Sequence, residues 1–149
     1  MADRSFPGGY AGDLEPKEAW RLLSEDSSAQ LVDVRTAAEW MFVGIPDLSV
    51  LGRDLWRIEW QNFPSMGLHP SFAAEVESAV ERMEGDCSTP LLFLCRTGGR
   101  SQAAAMAMTQ AGFLRAYNVA HGFEGELDET RHRGNRTGWK ASGLPWRQS

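Results

Sequence analysis

The sequence predicts an α/β protein with a mainly parallel central sheet and helices on both faces. Short apolar runs of strand length, Gln30 to Val34 and Pro90 to Leu94, alternate with amphipathic stretches of helical period. Strands alternating with helices build a parallel sheet that its crossovers cover. Both runs also end in polar or reactive residues, Asp33 and Arg35 in one and Cys95 in the other. The working rim of such a sheet lies beyond the carboxyl ends of its strands, so the topology delivers these residues to one place.

In chain order, Pro16 at the first position of Lys17 to Leu23 opens a short helix with Ala19, Leu22 and Leu23 facing inward. Gln30 to Arg35 reads as a buried strand. Thr36 with Glu39 three residues on is a capping box that starts a helix through Trp40 and Met41, which Gly44 to Asp47 ends. In Asp54 to Trp60, Trp56, Ile58 and Trp60 alternate with Arg57 and Glu59, which predicts a strand with one buried face and the least parallel character of the set. Asn62 to Pro70, punctuated by Pro64, Gly67 and Pro70, is expected to be loop.

Ser71 is placed to cap a helix from Phe72 to about Met83, with Phe72, Val76, Ala79, Val80 and Met83 on one face. After the Pro90 to Leu94 strand comes a helix from about Arg100 to Ala111. Its stripe of Ala104, Ala107, Met108 and Ala111 suits close packing on a sheet, and Gly112 stands at the C′ position. Arg115 to Val119 is a last short strand, and His121 to Ser149 carries apolar anchors at Trp139, Leu144 and Trp146.

With 149 residues, 42% of them hydrophobic and 23% charged, the chain is expected to form one domain with its own core, residues 15–149, after a lead-in over residues 1–14. A net charge of −5 argues against nucleic acid or an anionic membrane as partner, so any bound anion must be held by local geometry. The lead-in has glycines but no apolar core, and no window approaches a membrane span, which makes a cytoplasmic location the expectation. Two cysteines, Cys87 and Cys95, make no disulfide framework and fit no zinc pattern, and the histidines His69, His121 and His132 share no metal spacing.

The chemistry concentrates at Cys95-Arg96-Thr97-Gly98-Gly99-Arg100-Ser101. A thiol attacks as thiolate, and an ordinary cysteine with a pKa of about 8.5 is mostly protonated at neutral pH. Three features favour the charged form here: converging N–H groups of a glycine-containing loop, the positive end of the next helix, and the charges of Arg96 and Arg100. The same loop stabilises a negative group on the sulfur, either a terminal sulfur or the oxyanions of phosphate or arsenate.

Asp33-Val34-Arg35 ending an early strand, the downstream Glu39, Gly44-Ile45-Pro46, and the cysteine loop opening a helix together resemble the single-domain rhodanese family of thiosulfate and related sulfurtransferases. The resemblance runs from about Glu15 to Pro145. It implies a rhodanese-like fold in which Cys95 carries sulfane sulfur as a persulfide, Arg96 and Arg100 bind an anionic donor such as thiosulfate, and the amides of Thr97, Gly98 and Gly99 line the sulfur pocket. Ser101 completes the active-site loop, and Asp33 and Arg35 support it as an ion pair. The acceptor would be a thiol or cyanide, or a thioredoxin-like or other protein, with no cofactor and no metal.

Cys95 to Arg100 counts six residues, the spacing of rhodanese sulfurtransferases. Tyrosine-type phosphatases and the related dual-specificity enzymes place one more residue between cysteine and arginine to cradle a larger phosphate. The shorter loop therefore favours sulfur transfer over a phosphatase or arsenate reductase, and a third reading is a non-catalytic interaction module with a vestigial thiol. Two segments depart from the family pattern. Gly44 to Asp47 lacks its histidine and second glycine, and His121-Gly122 replaces its Gly-Gly, with the following tryptophan displaced to Trp139 by an insertion from Phe123 to Gly138.

Overall fold

Leu91 to Leu94 are fully buried, and they form the middle strand of the sheet. The computed structural model describes residues 9–62 and 67–148, so residues 1–8 of the expected lead-in and Pro64 of the expected loop lie outside the described residues. The strands are β1 (Gly12–Leu14), β2 (Gln30–Asp33), β4 (Trp56–Arg57), β7 (Leu91–Leu94) and β8 (Ala116–Val119), in the order β1-β8-β7-β2-β4, with every neighbouring pair parallel. Two small antiparallel pairs stand beside this sheet, β3 (Ile45–Pro46) with β9 (Trp146–Arg147) and β5 (Gln61–Asn62) with β6 (Gly67–Leu68).

Because side chains alternate along a strand, β7 feeds two cores. Leu91 and Phe93 join Val32 and Val34 under α3 (Phe72–Arg82) and α4 (Gly99–Gln110). Leu92 and Leu94 join Leu31 and Val119 under α1 (Pro16–Glu25) and α5 (Gly138–Ala141), with Phe123 and Trp139 filling that layer. The remaining helix, α2 (Ala37–Phe42), follows β2 and buries none of its residues fully. No helix among the described residues is long and apolar enough to cross a membrane.

Several expectations need correction. The segment from Asp54 to Trp60 contributes only the two-residue β4, which is parallel to β2 like the rest. The Ile58 and Trp60 amides donate to the carbonyls of Asp33 and Val34, so the chain stays beside β2 without regular pairing. Glu59 turns away to accept from the Ala37 amide at 2.7 Å and caps α2. The expected loop from Asn62 to Pro70 includes strand residues, and the end of the expected lead-in is edge strand β1. Three residues containing a glycine and an aspartate are too few to show a period.

On α4 the buried stripe is Ser101, Ala104, Ala105 and Met108, while Ala107 is half-buried and Ala111 exposed. Ser71 occupies the N-cap position of α3 with ψ of 13° and makes no side-chain cap bond, since its backbone is not extended there. Trp146, expected as an apolar anchor, is 39% exposed. Its ring still packs edge-on against Phe123 with Lys140 over it, and its backbone pairs with Pro46 in β3.

Candidate active site

Flanked by β8 and β2, β7 brings Cys95 out at the carboxyl rim of the sheet, where the residue is 1% exposed. The loop reverses at Gly98, whose φ of +113° lies in the region that favours glycine. That conformation aims the Gly98 amide at the sulfur, 3.1 Å away. On the first turn of α4, the Ser101 hydroxyl lies 3.2 Å from the same sulfur. The amides of Thr97 and Gly99 make no such contact, so the sulfur is bounded by one N–H and one O–H group rather than by the whole loop.

Arg100 leaves the loop sideways. Its Nη1 and Nη2 donate to Glu39 Oε1 and Oε2 at 2.7 and 2.9 Å. Glu39 also closes the expected capping box, accepting from the Thr36 amide at 3.2 Å while its own amide donates to Thr36 Oγ1 at 3.3 Å. Burial pushes the Glu39 carboxyl upward, but the hydrogen bonds and charge of Arg100 outweigh it and hold the group below the usual carboxylate range. The hydrogen bonds that Arg100 donates to Glu39 in turn raise Arg100 above its ordinary value against the opposing effect of burial.

Arg96, half-exposed, reaches Glu124 at 3.6 Å. These two ion pairs and Val43 line a cleft of about 290 Å³. In this cleft each guanidinium expected to meet an anionic donor is faced by a carboxylate. Hollows of about 400 and 490 Å³ between β4 and α3 are larger but contain no residue of the cysteine loop.

Asp33 and Arg35 form a fully buried ion pair, Nε to Oδ1 at 2.9 Å and Nη2 to Oδ2 at 2.7 Å. Arg35 also donates to the Gly44 carbonyl at 2.8 Å and lies 4.3 Å from the centre of the Phe123 ring. The pair ties β2, the Gly44 turn and the chain after β8 together, and it does not line the cleft. Behind the cysteine, the Phe123 amide donates to the Cys95 carbonyl at 2.8 Å and the Glu124 amide to the Arg96 carbonyl at 3.0 Å. Gly122 permits this approach: a Cβ there would sit 2.5 Å from the Cys95 oxygen and 2.6 Å from the Arg96 carbonyl.

The family described as "STR4 middle domain" matches residues 12–149. The chain belongs to the STR4 middle-domain family. A crystal structure of Rv0390 from M. tuberculosis is 49% identical to it and covers 95% of this chain and 100% of that one, with a TM-score of 0.83. Rhodanese-like domain-containing protein 4 of Arabidopsis thaliana, chloroplastic, is 28% identical over 130 residues, 87% of this chain and 24% of that protein. The solution structure of the polysulfide-sulfur transferase homodimer from Wolinella succinogenes shares the fold, with a TM-score of 0.58 at 22% identity, covering 99% of this chain and 86% of that one. The fold of this STR4 middle domain is rhodanese-like.

In the STR4 middle-domain chain, Cys87 precedes β7 and is exposed at the opposite rim of the sheet. A strand of this length keeps it roughly 13 Å or more from Cys95, whereas a disulfide needs Cα atoms within about 7 Å. Cys87 and Cys95 are therefore too far apart to form a disulfide with each other within the chain. His69 pairs with Glu75, His121 lies 3.5 Å from Glu15 and His132 contacts Thr130, and none of the three hydrogen-bonds the sulfur.

Sequence reasoning named Gly122 only as part of the His121-Gly122 departure, and it missed Glu124, Asn118 and Asp13. Glu124 stands in the stretch from Phe123 to Gly138 that reads as an insertion. Asn118 lies inside a strand, and its 5% exposure was its mark. Polar residues in a strand are visible in sequence, but not what they face.

Proposed function

We propose that this protein is a sulfurtransferase that moves sulfane sulfur from a donor to a thiophilic acceptor through a persulfide on Cys95. One observation carries the reading: the Cys95 sulfur is buried at the end of the central strand, with the Gly98 amide and the Ser101 hydroxyl at 3.1 and 3.2 Å, in a loop with four residues between cysteine and arginine. By the family resemblance, that loop length goes with a terminal sulfur rather than a phosphate. The rhodanese-like name of the plant relative and the sulfur chemistry of the Wolinella protein agree with it.

In the first half-reaction the Cys95 thiolate attacks the outer sulfur of a donor such as thiosulfate. The donor's S–S bond breaks, sulfite leaves with its electron pair, and Cys95 becomes a persulfide anion. In the second, an acceptor thiolate or cyanide attacks the outer sulfur and Cys95 leaves as thiolate. The result is the double displacement of covalent catalysis. The Gly98 amide holds negative charge on sulfur, and the first turn of α4 adds its partial positive charge. Arg96 meets an anionic donor at the mouth only in competition with Glu124, while Arg100 acts chiefly through its pair with Glu39. An unpaired catalytic thiol suits a reducing compartment such as the cytoplasm.

Incubation with thiosulfate or an inorganic polysulfide, followed by intact-mass measurement, tests the reading. The expected result is one added sulfur on wild-type protein, removed by cyanide and absent in Cys95→Ser. No adduct from either donor, or one that survives the substitution, overturns it.

A further inference from the structure

We propose that Asp13 and Asn118 are positioning residues that decide which way the Ser101 hydroxyl points, and so how readily Cys95 ionises. Four side chains from four parts of the fold form a line. Cys95 Sγ lies 3.2 Å from Ser101 Oγ, Ser101 Oγ lies 2.5 Å from Asn118 Oδ1, and Asn118 Nδ2 donates to Asp13 Oδ1 at 3.0 Å. Ser101 is fully buried and Asn118 nearly so. The far end is held as well, since the Tyr10 hydroxyl donates to Asp13 Oδ1 at 2.8 Å and Gln102 Nε2 donates to the Tyr10 oxygen at 2.8 Å.

Donor and acceptor chemistry fixes the polarity of this line. An ionised Asp13 only accepts, so Asn118 must turn its NH₂ toward Asp13 and its carbonyl oxygen toward Ser101. The reverse orientation sets two acceptors against each other. Ser101 has a single hydroxyl proton, and the closest acceptor for it is Asn118 Oδ1. With that proton committed, Ser101 shows Cys95 a lone pair, which receives a hydrogen bond from the S–H group and gives none to a thiolate.

The line therefore opposes ionisation of Cys95, against the Gly98 amide that favours it. Edge strand β1, which carries Asp13, becomes part of the active site. Within the sulfur-transfer reading, ionisation is coupled to rotation of Ser101, whose O–H hydrogen bond turns from Asn118 Oδ1 to the sulfur as the thiol proton leaves to water.

The test reads the rate of iodoacetamide alkylation of Cys95 against pH in a Cys87→Ser background, so it does not depend on sulfur transfer. In Asp13→Asn the neutral amide satisfies Asn118 in either orientation, which frees Ser101 to donate to sulfur. The profile is expected to move to lower pH by about 0.5 to 1 unit, roughly three- to tenfold more reactive thiol at pH 7, the effect of one hydrogen bond gained. Removing a carboxylate also lowers the profile through its charge alone. The other charged groups around the site, Arg96, Arg100, Glu39, Glu124, His121 and the Asp33–Arg35 pair, are left in place by the variant.

The double variant Asp13→Asn/Ser101→Ala separates these effects. A clearly smaller shift in the Ser101→Ala background supports the relay. A shift of undiminished size there assigns the whole effect to charge and overturns it. An unshifted profile in Asp13→Asn with a native melting temperature also overturns it, as does Ser101→Ala alone raising the profile, because Ser101 would then be a donor to the thiolate already.

Discussion

Arg100 and Glu39, 61 positions apart in the chain, meet as a two-pronged ion pair with both oxygens engaged, at 2.7 and 2.9 Å. Glu39 caps α2 after strand β2, and Arg100 begins α4 after strand β7. The pair therefore joins the starts of two crossovers at one rim of the sheet and fixes one side of the cysteine loop. It also withdraws Arg100 from solvent, since both side chains are 20% exposed.

The pair makes stability depend on pH in a stated direction. Glu39 is held below the usual carboxylate range, so its contribution is present above the ordinary carboxylate pKa of about 4.3 and disappears as pH falls through the lower folded value. Glu39→Gln should destabilise the protein by about 1–3 kcal/mol at pH 7. Urea unfolding of both proteins from pH 7 to pH 3 checks it: the gap narrows below about pH 5, and a gap that widens in acid contradicts the assignment.

Gly122 tests the backing of the loop. Its φ of +67° and the nearness of the Cys95 and Arg96 carbonyls leave no room for a methyl group. Gly122→Ala should lose about 2–4 kcal/mol from strain and displaced backbone. Sulfur loading should fall with it, as the loop moves away from the sulfur. Gly112→Ala serves as the comparison, because φ is also positive there at +105° but nothing lies within 4 Å. Thermal melting of the two variants should rank Gly122→Ala well below Gly112→Ala.

Glu124 tests what the cleft selects. Glu124→Gln leaves Arg96 without its carboxylate partner and shifts the mouth by one positive charge. The second-order rate of Cys95 persulfidation by thiosulfate should rise by about two- to fivefold at low salt, and the gain should fade as ionic strength increases. Loading from an uncharged organic trisulfide should change little. A rate with thiosulfate that is unaltered at low salt would detach Glu124 from donor choice.

Much of the scaffold was legible because its signals are local. The apolar run from Leu91 to Leu94 has no polar face to satisfy, so it reads as an inner strand, and it is one. Thr36 and Glu39 are three residues apart and make their capping box within a single turn. The edge of the sheet was less readable. β1 and β4 are two or three residues long, pair on one side, and owe their strand geometry to β8 and β2 rather than to any pattern of their own.

Sequence by itself determined the alternation of strands and helices, the delivery of Asp33, Arg35 and Cys95 to one rim, and the short spacing from Cys95 to Arg100, because each depends on residues close together in the chain. Only the tertiary structure decided how charge and hydrogen bonding are spent around the sulfur. It gave Arg100 to Glu39 and Arg96 to Glu124, set Gly122 behind the Cys95 carbonyl, and lined up Asp13, Asn118 and Ser101 from three separate elements. Such pairings bring together groups tens of residues apart, and a chain read in order carries no record of which distant partner will satisfy a given donor.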